Sequence, residues 1–126
     1  MELAWLRREA GAGHFWVAKE GGKPQRLREG EEEEVDLVFS ADGSQSALTY
    51  QVGGQTDLEL TTPTGHCRIG TPGVEEFPVF SPDGRWVVYE GDADGDAELW
   101  LVRPDCSDPR RLTERKGADW LARWLP

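Results

Sequence analysis

Phe80-Ser81-Pro82-Asp83-Gly84 echoes Phe39-Ser40-Ala41-Asp42-Gly43, which stands 41 residues earlier. The same offset carries Asp57-Leu58-Glu59-Leu60 onto Glu98-Leu99-Trp100-Leu101 and Pro63 onto Pro104. Two separated matches at one offset mark an internal repeat. A third copy lies at an offset of 84, where His14-Phe15-Trp16-Val17-Ala18-Lys19 falls on Glu98-Leu99-Trp100-Leu101-Val102-Arg103. Arg26-Leu27 and Arg111-Leu112 follow those segments at comparable distances. The chain of 126 residues therefore reads as three copies of a unit of about 41 residues.

Each unit reads as four strands. In the last copy they are Pro78–Ser81, Trp86–Glu90, Glu98–Arg103 and Arg110–Thr113. The middle pair is apolar without alternation, the pattern of strands whose sheet is covered on both faces. The fourth is short and basic, as suits an outer edge that must discourage pairing. In Ser81-Pro82-Asp83-Gly84, Pro presets one backbone angle, Asp bonds back to the main chain and Gly accepts a positive φ. Small four-stranded sheets repeating at this interval predict an all-β fold, the blades of a β-propeller.

Pro78-Val79-Phe80-Ser81-Pro82-Asp83-Gly84-Arg85, then Val87-Val88-Tyr89, Leu99-Trp100-Leu101 and Arg111-Leu112-Thr113, resembles the TolB-type, or PD40 (WD40-like), propeller repeat. The second copy departs from that pattern at Ala41, and the first keeps its last three strands. The resemblance implies a propeller used as a binding platform or as the gating domain of a peptidase.

The resulting strand order is BCD-ABCD-ABCD-A, with A innermost. Residues 1–35 form a first blade without its inner strand, 36–76 a second, 77–117 a third, and 118–126 a surplus inner strand. Three blades fall below the roughly four to eight of closed rings. Two copies would give six, so the expectation is a half propeller that closes as a homodimer. In that ring the tail (Leu121, Ala122, Trp124) completes the partner's first blade against Leu3 and Trp5. The competing reading is a piece of a longer propeller.

Composition narrows the function. With 14 Lys plus Arg against 24 Asp plus Glu, the net charge is -10, which disfavours nucleic acid and anionic membranes and favours basic partners. No apolar run approaches a membrane span, and Met1-Glu2-Leu3-Ala4-Trp5 lacks the features of an export signal, which predicts a cytoplasmic protein. Cys67 and Cys106 are expected as free thiols in a reducing compartment, and no cofactor is expected.

Acidic loops precede each inner strand, and Glu34, Glu75 and Asp119 are equivalent within them. Together with Trp120, they are expected at a channel mouth that attracts a protein or basic peptide. Asp92, Asp94 and Asp96 alternate as calcium ligands do, but the sixth and twelfth places hold Ala97 and Arg103, so a solvated hairpin is expected there instead. Trp5, Trp16, Trp86, Trp100 and Trp124 are expected in the core between blades. Cys106 occupies a turn position that favours positive φ. No nucleophile elbow surrounds Ser40 or Ser81, and no catalytic residue is assigned. The reading is a non-enzymatic platform, with a metal-ion-dependent hydrolase or axial ligand-binding propeller as the alternative, and a regulatory piece of a peptidase as a third.

Overall fold

The structure is a computed structural model that describes residues 2–93, 95–113 and 122–125. Among these residues there is no helix; eleven strands form three antiparallel sheets. The first sheet has the order β1 (Glu2–Glu9), β2 (Ala12–Lys19), β3 (Gln25–Arg26). The second holds β4 (Glu34–Phe39), β5 (Ser46–Val52), β6 (Gln55–Thr62) and β7 (Gly65–Ile69). The third holds β8 (Glu75–Phe80), β9 (Val87–Gly91), β10 (Glu98–Val102) and β11 (Arg110–Arg111) in the same order.

The repeated turn is a structural repeat down to single hydrogen bonds. Ser81 Oγ donates to Asp83 Oδ1 at 2.7 Å and accepts from the Trp86 amide at 3.0 Å. Ser40 Oγ donates to Asp42 Oδ1 at 2.8 Å and accepts from the Gln45 amide at 3.1 Å. Gly43 and Gly84 take φ of 76° and 71°, a region closed to most side chains. Each turn thus folds on its own local bonds and hands the chain from an inner strand to the next.

The core lies between the second and third sheets, where Leu58, Leu60 and Ala47 meet Phe80, Val87, Tyr89 and Val102. Phe39 and Phe80 hold the same repeat position, yet Phe39 is 43% exposed and Phe80 is 8% exposed. Phe80 packs into this inter-sheet core, whereas Phe39 borders a cleft of about 160 Å³ with Leu3, Ala4 and Val17 of the first sheet. There β1 is an edge strand with no inner neighbour among the described residues.

Two sequence expectations are corrected here. Cys67 and Cys106 are not free thiols: they form a disulfide between β7 and the β10–β11 turn, with Cα atoms 6.1 Å apart. Cys106 has φ 66°, as its turn position led one to expect. Trp86 is not core either. Half-buried outside that core, its ring is capped by Arg103 at 3.6 Å and Arg110 at 5.6 Å in cation–π contacts. Trp100 packs against the inter-sheet core, while Trp5 and Trp16 face each other as cross-strand partners in the first sheet.

Candidate functional site

The equivalent glutamates open the inner strands β4 and β8. Glu34 and Glu75 are each 1% exposed, so neither side chain faces open solvent. Both point into seams between neighbouring sheets, where Glu34 meets the first half of β2 and Glu75 the first half of β6. In the seam between the first and second sheets, Glu34 Oε1 accepts from the Phe15 amide at 2.7 Å. Its Oε2 lies 3.6 Å from Arg26 Nη2 and 3.3 Å from His14 Nδ1. Arg26 also donates to His14 Nδ1 at 2.7 Å, which makes that nitrogen an acceptor. The glutamate is neutralised by base and backbone together.

In the next seam the position of His14 is taken by Asp57, 3% exposed, which is paired with Arg68 Nη2 at 2.9 Å. Glu75 Oε1 accepts from the Thr71 hydroxyl, and Oε2 is buried with no hydrogen-bond partner among the described residues. Burial, reinforced by the charges of Asp57 and Asp92, pushes the Glu75 carboxyl up to about 7. Burial and then Glu75 push the Tyr89 phenol up to about 12. Backbone links fix the seam: Thr56 Oγ1 donates to Glu75 O at 2.8 Å, and the Val74 amide donates to Asp92 Oδ1 at 2.7 Å. Gly73, at φ 145°, is required there because a Cβ would collide with the Asp92 carboxylate. In the third sheet Glu98, also buried, accepts from the Thr113 hydroxyl.

The other expected site residues divide. Asp92 spends one carboxylate oxygen on the Val74 amide, Asp96 is exposed, and Asp94 lies outside the described residues. No group of three His, Cys, Asp or Glu side chains placed to hold a metal ion occurs among the described residues. Asp119, Trp120 and Leu121 also lie outside them. Ala122 is half-buried, and Trp124 Nε1 donates to Val79 O of β8 at 3.1 Å. Leu3 is 66% exposed.

Phe77 is a residue that sequence reasoning missed. It occupies a bulge of β8, where it and Pro78 together oppose Tyr89, and it has φ 54° with half its surface exposed. A bulky residue held there is strained. Val35 presents a second exposed apolar residue from the corresponding bulge of β4. Phe77→Gly is expected to be more stable than Phe77→Ala by about 1 kcal/mol, because only glycine relaxes in the left-handed region. Equal urea midpoints for the two variants would show that the bulge carries no strain.

Three small antiparallel sheets in series define a TolB-like all-β fold, and comparison bears this out. The chain is similar to a solved structure of a protein assigned as TolB from Agrobacterium tumefaciens, with a TM-score of 0.71 and 22% identity. The match covers 94% of this chain and 44% of that one. An uncharacterized protein of Agrobacterium fabrum is 38% identical over 49 residues, which are 39% of this chain and 17% of that protein. This chain therefore spans less than half the length of the relatives it matches. No protein-family model matches it.

Proposed function

We propose that the chain is part of a propeller that serves as a non-enzymatic platform for a protein or basic peptide. The reading is carried by the outer edge of β1, which pairs with no strand among the described residues. Beside it Leu3 and Phe39 are exposed, whereas Phe80, the equivalent of Phe39 in the third sheet, is buried against the second sheet. An extended strand paired with β1 would cover that surface and satisfy its backbone groups. A second copy is the occupant we favour, and the closed ring would then have six blades. The net charge of -10 would draw a cationic partner to it.

No specific observation favours the hydrolase alternative. The inter-sheet disulfide supports an oxidising compartment in place of the cytoplasm expected from the sequence. Sedimentation equilibrium at micromolar concentration is expected to return twice the chain mass, and Leu3→Lys to shift the balance toward monomer. A wild-type monomer at tens of micromolar would sink the dimer.

A further inference from the structure

We propose that Glu75 and Asp57 form a pH-responsive clasp across the seam between the second and third sheets, tight when Glu75 carries a proton and loosened when it does not. The groups that face Glu75 come from several segments. From β6 comes Asp57, buried and ion-paired with Arg68 of β7. The loop before β8 supplies the Thr71 hydroxyl, β9 supplies Tyr89, and the β9–β10 loop supplies Asp92, one of whose oxygens is already taken by the Val74 amide. Arg68 is the facing cation, and its guanidinium is engaged with Asp57. An ionised Glu75 thus meets two carboxylates while one of its own oxygens has no donor among the described residues. A proton on that oxygen removes the repulsion and makes the carboxyl neutral in its dry site.

The first seam is a built-in comparison. There Glu34 occupies the same repeat position, but His14 stands in place of Asp57, and Arg26 and the Phe15 amide meet both carboxylate oxygens. The same backbone therefore holds one compensated and one uncompensated carboxylate. The Cys67–Cys106 disulfide joins the second and third sheets at the far end of β10 from the loop carrying Asp92. Loosening at Glu75 would accordingly open one end of the seam while the other stays tied.

The sign follows from linkage. An acid whose folded-state pKa is raised binds its proton more tightly when folded, so its favourable contribution is complete below the unfolded value. That contribution is lost as pH rises from about 4.5 to about 7. The folding equilibrium constant is expected to fall over that window by up to roughly 300-fold, the antilogarithm of the shift.

The test is a series of urea melts between pH 5 and 8.5 on the disulfide-intact full chain and on Glu75→Gln. Wild type is expected to weaken with rising pH, and Glu75→Gln to hold level and be the more stable at pH 8. Every other ionisable group is common to both proteins, so the difference between the two isolates Glu75. Equal pH slopes would overturn the proposal. Should the variant not fold, carbon-13 NMR of glutamate-labelled wild type decides. One side-chain carboxyl titrating near neutrality supports the clasp, and none titrating above the ordinary carboxylate range overturns it.

Discussion

Replacing Cys67 and Cys106 by serine, or reducing the disulfide between them, is expected to lower the melting temperature by about 10–15 °C. The two residues stand 39 apart in sequence, so the bond closes a long loop that the unfolded chain must otherwise explore. Loop-closure entropy for that length corresponds to about 4 kcal/mol, with about 3 kcal/mol realised if the unfolded chain keeps residual structure. For a domain of this size each kcal/mol moves the midpoint by roughly 3–5 °C. The bond also ties β7 of one sheet to a turn of the next, so its loss acts on the junction that holds the core. Calorimetry with and without reductant measures the effect. A midpoint indifferent to reductant would mean that packing between the sheets is sufficient without the bond. Cys106 stands at φ 66°, so glycine at that position is expected to recover part of what serine loses.

The second large effect is expected at Glu34. Glu34→Ala leaves the Phe15 amide and the Arg26 guanidinium facing an empty seam, although Arg26 retains the Gly30 carbonyl and His14 Nδ1. Breaking a buried charge interaction from one side exposes the full desolvation penalty of what remains, about 3 kcal/mol in such a setting. Glu34→Gln keeps an acceptor for the Phe15 amide while losing the charge, and should fall between wild type and Glu34→Ala. Urea midpoints of the three proteins at pH 7 give the order directly. A Glu34→Ala protein as stable as wild type would show that solvent enters the seam and hydrates Arg26. The contrast with Glu75 is the instructive part: neutralising one member of a repeat pair is expected to weaken the protein, and neutralising the other to strengthen it above neutral pH.

That contrast marks where sequence reading reaches its end. Glu34 and Glu75 are equivalent by the repeat offset, and so are His14, Asp57 and Glu98, but no offset says that these two sets meet. They meet because the start of an inner strand in one sheet (β4, β8) lies against the first half of β2 or β6 in its neighbour. The same crossing gives the short basic strands a second role, since Arg26 and Arg68 reach the seam carboxylates as well as guarding an edge. The cysteines misled for a related reason. Their separation is close to the repeat length, which is the signature of residues on adjacent sheets, and that spacing was the available clue.

The repeat, the strands and the two Ser-x-Asp-Gly turns are determined by the chain itself, because periodicity and bonds between near neighbours create them wherever the sheet later goes. The disulfide, the opposed charges at the two seams and the strained bulge at Phe77 are decided only once whole sheets lie face to face. Partners across a seam come from segments tens of residues apart, and only packing brings them within bonding distance.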